Sequence, residues 1–343
     1  MDNGRQVQFE LLRILAMCGV VMNHVFNYGL HIYDGFTVDA STPVGFLLWS
    51  VLELLKLVSL PSVNCYVLIT GYFLIDRTQF RWRGIWRVWS TTWLYAVGIY
   101  LLAVALGIVP FGWNDLLYHA TPLLSNTYWF VTSYIILLFL APLLSMGLLR
   151  LSKRQYQMVL AGGVVVCFQY PLGQLVMDDQ QILLFVYLYI IGGYIRRFDV
   201  RPRKNLYSLL GYAGILLVMF VYALLKNHPS TQTAFSIFAM EYYGLVLPLS
   251  VAFFLFVKEW QIDRPSLRNV ILAVAPLSFA VYIIHTQPVV DAWLWDVASR
   301  WLESSQPGLL PLVCIAITLL VFLGCIVVEY VRHRLASACR RAG

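Results

Sequence analysis

Charged side chains are scarce in this sequence. Asp, Glu, Lys and Arg make up 12% of its 343 residues, whereas soluble chains carry roughly a quarter. Hydrophobic residues account for 60% and aromatic residues for 15%. This composition excludes a cytosolic enzyme, a secreted disulfide scaffold and a disordered chain. It predicts an all-α fold, a polytopic helical bundle integrated in a membrane.

The motifs of soluble enzymes are also missing. The sequence contains no G-x-S-x-G elbow, Walker loop, H-E-x-x-H or G-x-G-x-x-G, so those chemistries have no residues to perform them. Its six cysteines show no C-x-x-C pair or metal spacing, and we expect free thiols and no metal site. No repeat or soluble segment interrupts the chain, which predicts a single integral membrane domain over residues 1–343.

Ten apolar runs predict about ten transmembrane helices. They cover residues 9–28, 62–75, 85–109, 129–149, 156–170, 181–195, 206–225, 235–257, 270–288 and 309–329. Several are shorter than the roughly 20 residues that a bilayer requires, so we expect tilted, broken or re-entrant helices there. Residues 43–60 form a further apolar helix, which either lies along the outer surface or leads into the second span.

The distribution of positive charge predicts the orientation. With the N-terminus inside, 20 Lys and Arg residues fall on the inner side and three, namely Lys56, Lys226 and Arg300, on the outer side. Because cytoplasmic loops carry the excess of Lys and Arg, both termini are predicted to be cytoplasmic. The net charge of +7 is therefore attributed to orientation in the membrane, and no nucleic-acid partner is expected.

The first predicted span contains Glu10, Arg13 and His24. An ionisable residue inside a membrane is costly and is a functional candidate by default. Arg13 and His24 are 11 residues apart, which places them on one helix face about 16 Å apart along the axis. Glu10 is placed to pair with Arg13, and Asn27 to orient the His24 ring. The alternatives are a snorkelling arginine and a histidine in one interhelical hydrogen bond.

Two later spans contain further polar candidates. His285 ends the ninth span, with Ser278 and Tyr282 on nearly the same helix face. A histidine at the end of a span is often only interfacial. Glu241, in the eighth span, is either a base in a pocket or a residue at the outer water boundary.

Two groups at span ends have both a structural and a functional interpretation. Arg81, Arg83 and Arg87 follow the second span. They would orient the protein in the membrane, and guanidinium forks also bind phosphate oxygens. Tyr128 and Trp129 open the fourth span, where an aromatic belt is favoured over a surface that stacks on a sugar.

Four motifs in order resemble the membrane acyltransferase 3 family. They are the Arg-x10-His of ELLRILAMCGVVMNH (Arg13 and His24), ITGYFLI, YWFVTSYIILLFLAPLL and SFAVYIIHTQP. Their order and the ten-span layout extend the resemblance over essentially the whole chain. The sequence departs from the family at Gly84, where the family often has the middle arginine of an Arg-Arg-x-x-Arg pattern.

The resemblance implies a multi-pass O-acyltransferase of the bacterial plasma membrane. Its donor would be a cytoplasmic acyl-CoA, most simply acetyl-CoA, and its acceptor a hydroxyl of an extracytoplasmic or lipid-linked glycan. Arg13, Arg81, Arg83 and Arg87 would hold the coenzyme A phosphates. His24 would act as general base or as a transient acyl carrier. The candidates for acceptor orientation or support are Glu10, Asn27, Tyr128, Trp129, Glu241, Ser278, Tyr282 and His285.

Two interpretations compete with the transferase. One is a transporter or flippase for a lipid-linked glycan, with no chemistry of its own. Such proteins usually have internal symmetry, and the last five spans do not repeat the first five. The other is a structural partner in a polysaccharide synthesis complex. Binding of coenzyme A separates the transferase from both.

Overall fold

A computed structural model describes residues 6–32, 36–168, 182–227, 233–234 and 244–342. These residues are mostly helical, as the composition predicts. The helices are α1 (Val7–His24), α2 (Pro43–Ser59), α3 (Ser62–Leu74), α4 (Trp82–Ala105), α5 (Trp113–Ala120), α6 (Trp129–Leu148), α7 (Lys153–Phe168), α8 (Ile182–Arg197), α9 (Asn205–Asn227), α10 (Val246–Lys258), α11 (Pro265–Val274), α12 (Ser278–His285), α13 (Pro288–Glu303) and α14 (Leu310–Ala342). Strands β1 (Thr37–Val38) and β2 (Thr233–Ala234) pair antiparallel.

Seven helical runs in the described residues are long and apolar enough to cross a membrane. They are Val7–Gly29, Pro43–Leu74, Trp82–Ala105, Trp129–Leu148, Asn205–Leu225, Pro265–His285 and Pro307–Ala338. Helices α7 and α8, at two other predicted spans, have 16 residues each. The predicted span 235–257 is described only from residue 244 onwards. The structure thus supports a multi-pass helical protein, while the count of ten and the orientation stay predictions.

Residues 43–60 lead into the second span and are part of one long apolar run. Thr42 caps the start of α2, where its Oγ1 accepts a hydrogen bond of 3.1 Å from the Gly45 N–H. Pro43 occupies the first turn, where its missing N–H costs nothing. The run is interrupted only at Leu60 and Pro61 before α3 begins.

The chain divides into two compact units. Unit 1 comprises Met1–Val63, Lys204–His285 and Val290–Gly343, and unit 2 comprises Asn64–Arg203 and Thr286–Val289. In unit 1, α1 contacts α2, α10, α11, α12 and α14, and its residues Phe9, Leu12 and Val21 are buried. Because α1 contributes to so much of this packing, its polar side chains are held among several neighbouring helices.

In unit 2, α6 packs against α4 and α8, and α7 packs against α8. Gly71 of α3 lies directly against the backbone of α8: a Cβ at Gly71 would lie 2.3 Å from the carbonyl oxygen of Tyr189. A glycine at this position allows the two helix backbones to approach closely. Helix α5, which no hydrophobic run predicted, packs on α4.

Candidate active site

Two histidines from distant parts of the chain meet in unit 1. His24 is the last residue of α1, His285 is the last residue of α12, and Nδ1 of His24 lies 2.9 Å from Nε2 of His285. The ring centroids are 5.0 Å apart. His285 is fully buried, whereas His24 is half-buried. Both were sequence candidates, but their contact was not predicted.

The hydrogen bonds of this pair define the tautomers of both rings. Nδ1 of His285 lies 2.6 Å from the carbonyl oxygen of Val281. A carbonyl only accepts, so this nitrogen carries the proton, and Nε2 of the neutral ring is left as an acceptor. Nδ1 of His24 therefore donates to Nε2 of His285. The remaining nitrogen, Nε2 of His24, has a free lone pair and is the basic atom of the pair.

Aromatic side chains surround the two imidazoles. Trp295 of α13 packs edge-on against both rings, with centroid distances of 6.2 Å to His24 and 6.2 Å to His285. The Tyr28 ring lies 5.3 Å from that of His24, and the Tyr282 ring lies 6.1 Å from that of His285. Edge-to-face contacts of this kind are favourable and directional. They restrict rotation of the imidazoles and so preserve the hydrogen bond between them.

Asp291 fixes the indole in this arrangement. The Nε1–H of Trp295 donates a hydrogen bond of 2.8 Å to Oδ1 of Asp291, one turn earlier in α13. Burial raises the pKa of the Asp291 carboxyl above its ordinary value, and the bond from Trp295 partly opposes that shift. Both residues lie between the ninth and tenth predicted spans, and so neither was a candidate by sequence. The i,i+4 spacing of Asp291 and Trp295 was the available signal.

The backbone changes its helical form directly after His24. Residues Val25–Gly29 form a π-helical turn, and such turns often occur at functional sites. Asn27 lies within it, and its Oδ1 is buried without a hydrogen-bond partner among the described residues. His285, rather than the predicted Asn27, is therefore the hydrogen-bonding partner that orients the His24 ring.

The other candidates in unit 1 differ in how far their side chains are buried. Glu10 and Arg13 form the predicted ion pair, with Oε1 of Glu10 2.7 Å from a guanidinium nitrogen of Arg13. Both side chains retain some exposure, 11% for Glu10 and 32% for Arg13. Ser278 and Tyr282 are buried, and the Ser278 hydroxyl donates to the carbonyl of Ala275 at 2.8 Å.

The candidates in unit 2 are divided between its surface and its interior. Arg81, Arg83 and Arg87 are exposed at the beginning of α4, where charged groups remain accessible to an anion. Tyr128 is fully buried, and so it presents no surface to lipid or to a sugar. Trp129 is half-buried, and its ring lies 6.2 Å from that of Phe185.

The predicted candidate Glu241 lies outside the described residues. Within the ranges that the structure covers, no group of three or more His, Cys, Asp or Glu residues is arranged to hold a metal ion.

The family of the chain follows from a comparison of its sequence with family models. A model described as an acyltransferase domain matches residues 6–330. The chain belongs to this family, acyltransferase 3. The match includes both histidines of this acyltransferase and all the helices that position them. No curated protein and no solved structure matches the chain.

Proposed function

We propose that this acyltransferase moves an acetyl group from acetyl-CoA to a hydroxyl of an extracytoplasmic or lipid-linked glycan, in a bacterial plasma membrane. The observation that carries the proposal is the 2.9 Å contact between His24 and His285. It leaves one imidazole nitrogen basic, half-buried and oriented, which is what removal of a proton from a hydroxyl requires.

In the proposed reaction, Nε2 of His24 takes the proton of the acceptor hydroxyl while its oxygen attacks the thioester carbonyl. The new C–O bond forms and the C–S bond breaks. The coenzyme A thiolate then receives the proton from His24, so that the products are the O-acetyl ester and free coenzyme A. The group that returns the proton is the one that removed it, and no other reactant is needed.

His285 is a positioning residue in this scheme. Its Nε2 accepts from Nδ1–H of His24, which keeps the basic nitrogen on the opposite side of the ring. When His24 becomes an imidazolium, that hydrogen bond becomes charge-assisted and stronger. The carbonyl of Val281 holds the tautomer of His285 in turn. This differs from a mere burial of two polar rings, since each nitrogen has a defined role.

We assign Arg13, in unit 1, to recognition of the acyl donor. Arg81, Arg83 and Arg87 are exposed in unit 2, and each is a candidate to bind a coenzyme A phosphate there. Arg13 is already paired with Glu10. A phosphate must therefore compete with a carboxylate for the same guanidinium. The pair would keep Arg13 ordered in the absence of donor, and its partial exposure leaves room for an anion.

The test uses purified protein in liposomes and acetyl-CoA labelled in the acetyl group. Loss of the thioester and transfer of label to a panel of glycans are followed for the wild type and for His24→Ala. His333→Ala is the matched control, since His333 is exposed in α14. Removal of a general base is expected to lower turnover about 10²- to 10⁴-fold, and the control should retain wild-type turnover.

Two results would contradict the proposal. Near-normal transfer by His24→Ala would remove this residue from the chemistry. Failure of folded wild type to bind or consume acetyl-CoA would instead favour a transporter. Kinetics separate the two roles of His24: a covalent acyl-histidine predicts ping-pong kinetics, whereas a general base predicts a sequential mechanism.

A further inference from the structure

A cavity opens in unit 1 beyond the histidine pair, and the function proposed above does not account for it. Its volume is about 700 Å³, within the range of roughly 300–1,000 Å³ that ligand pockets occupy. Three segments line it: the end of the π-helical turn, the stretch from β1 into α2, and the connection from α13 to α14. The cavity is therefore not an irregularity of one loop.

Two of these segments lead directly from the histidine pair. Tyr28, which packs on His24, is followed by Gly29 in the cavity wall. On α13, Trp295 packs on His24, and Glu303 lines the cavity eight residues later. Eight helical residues span about 12 Å. The Glu303 side of the cavity therefore lies about two helical turns along α13 from the indole that packs on His24.

A hydrogen-bonded link joins the two segments at the near end of the cavity. The Ser299 hydroxyl of α13 donates to the carbonyl of Trp295 at 2.7 Å and lies 3.1 Å from Nε2 of His31. His31 lines the cavity and has a left-handed backbone with φ of 53°. Ser299 thus connects His31, in the cavity wall, to Trp295, which packs on both histidines.

The charges of the lining define the chemistry that it can hold. Asp39 and Glu303 contribute carboxylates, and Thr42 and Ser305 contribute hydroxyls. Two hydrogen bonds from Ser41 lower the pKa of the Asp39 carboxyl, so that it is ionised at neutral pH. No Lys or Arg is among the described residues that line the cavity. Phosphates and carboxylates would be repelled here, whereas sugar hydroxyls donate well to carboxylates.

The lining also has an apolar part suited to a sugar. Phe36, Val38 and Leu302 form hydrophobic surface beside the carboxylates. A sugar ring presents C–H groups on its faces and hydroxyls at its rim, and so it matches a wall of this mixed character. A lipid chain would displace water from these carboxylates and offer no hydrogen-bond donor in its place, which is costly for a charged group.

We propose that this cavity is the acceptor subsite and that it binds uncharged sugar residues of the glycan. The inference rests on the proposed function, because it assigns the acceptor of the same reaction. It also defines a specificity of the site: the part of the acceptor next to the reacting hydroxyl has no phosphate or carboxylate. An anionic lipid carrier of a lipid-linked glycan would lie outside this cavity.

The first experiment measures acceptor kinetics in liposomes. The variants are Glu303→Gln and Asp39→Asn, which keep an acceptor oxygen but remove the charge. Asp296→Asn is the matched control, because Asp296 is an exposed carboxylate of the same helix that does not line the cavity. With neutral N-acetylglucosamine oligomers, each cavity variant should raise the acceptor KM about tenfold, while the control leaves it unchanged. A tenfold rise in KM is the change expected when a hydrogen bond to a charged carboxylate becomes a hydrogen bond to a neutral amide.

The second experiment needs no turnover. Ser305→Cys places a thiol in the lining, and its labelling by a membrane-impermeant maleimide is followed by mass mapping. Neutral N-acetylglucosamine oligomers should slow labelling of residue 305, whereas galacturonate oligomers and anionic phospholipid vesicles should not. Protection by the galacturonate oligomers or by the vesicles alone would overturn the assignment. Transfer to neutral oligomers with unchanged acceptor KM in both cavity variants would overturn it equally.

The two proposals fail in distinguishable ways. Wild-type protein that consumes no acetyl-CoA contradicts the proposed function, yet protection of residue 305 by neutral oligomers would still support a glycan site. Wild-type protein that transfers acetyl groups while neutral oligomers leave residue 305 unprotected contradicts the cavity assignment alone.

Discussion

At the scale of single residues, the structure converts two separate candidates into one chemical unit. A histidine at the end of a span is often only interfacial, and so His285 alone was weak evidence for a site. The hydrogen bond from His24 and the bond to the Val281 carbonyl give each ring nitrogen of the pair a single role, except for Nε2 of His24. That nitrogen is the one on which the proposed chemistry depends.

The positioning role of His285 predicts a graded response to substitution. His285→Ala should lower kcat about 10- to 100-fold, because His24 loses the acceptor that holds its tautomer. His285→Gln should recover part of the rate, since an amide oxygen can accept from Nδ1–H of His24. The donor KM should change little in both. Equal loss of kcat in the two variants, measured in correctly inserted protein, would mean that His285 serves only packing.

The ion pair of Arg13 predicts opposite effects of its two members on the donor. Glu10→Gln removes the competing carboxylate and should lower the Kd for acetyl-CoA several-fold, whereas Arg13→Ala should raise it about tenfold or more. Direct binding of acetyl-CoA by each purified variant gives these values. If Arg13→Ala binds donor as the wild type does, Arg13 belongs only to the packing of α1.

At the scale of elements, the site is positioned by short helices that a hydropathy profile does not reveal. Helix α13 (PVVDAWLWDVASRWLE) contains four charged residues in 16, so it is too polar to be recognised as a span. It nevertheless supplies Trp295 to the histidine pair. The long apolar helices were predictable because hydropathy is a local property. The contact between His24 and His285 was not, because it joins residues 261 positions apart.

Helix α5 predicts a pH dependence of stability. His119 lies outside the ten predicted spans, but it is buried in α5 and stacked on Tyr100 at 4.7 Å. Burial lowers the pKa of His119 below its ordinary value. As the pH falls through about 6.5, the unfolded chain binds a proton that the folded protein does not, so stability decreases.

The corresponding measurement is the Tm in detergent between about pH 8 and pH 5.5. His119→Phe keeps an aromatic ring on Tyr100 and should reduce the decrease in Tm at acidic pH. His333→Phe, at an exposed position, is the control and should keep the wild-type dependence. A decrease in Tm at acidic pH that is the same in His119→Phe and wild type would contradict the assignment.

The close approach of α3 and α8 predicts a difference between two glycines. Gly71→Ala places a methyl group within 2.3 Å of the Tyr189 carbonyl oxygen and should destabilise the protein by about 1–3 kcal/mol. Gly98→Ala, in α4, meets no atom within 4 Å and should be neutral or stabilise by about 0.5–1 kcal/mol. Chemical unfolding in detergent measures both. A Gly71→Ala variant as stable as the wild type would contradict the packing.

At the scale of the whole molecule, the class of protein and its family were predicted mainly from composition and from the order of the motifs. The scarcity of charge led to a membrane protein, and four short motifs in order led to a family that the match over residues 6–330 establishes. The distribution of Lys and Arg predicts the orientation of the protein in the membrane. The sequence also gave no sign of the cavity beside Gly29 and Glu303, because its wall combines three separated segments.

The protonation state of His24 in the folded protein at neutral pH tests the proposed general base most directly. Solid-state ¹⁵N NMR of protein labelled in its histidines distinguishes a protonated from a bare ring nitrogen and requires no acceptor. The signals that disappear in His24→Ala identify the residue. The hydrogen bond from His24 to His285 predicts a protonated Nδ1 and a bare Nε2 on His24. A protonated Nε2 with a bare Nδ1 would contradict the role of His24 as general base, because the nitrogen assigned as the base would then have no lone pair to use.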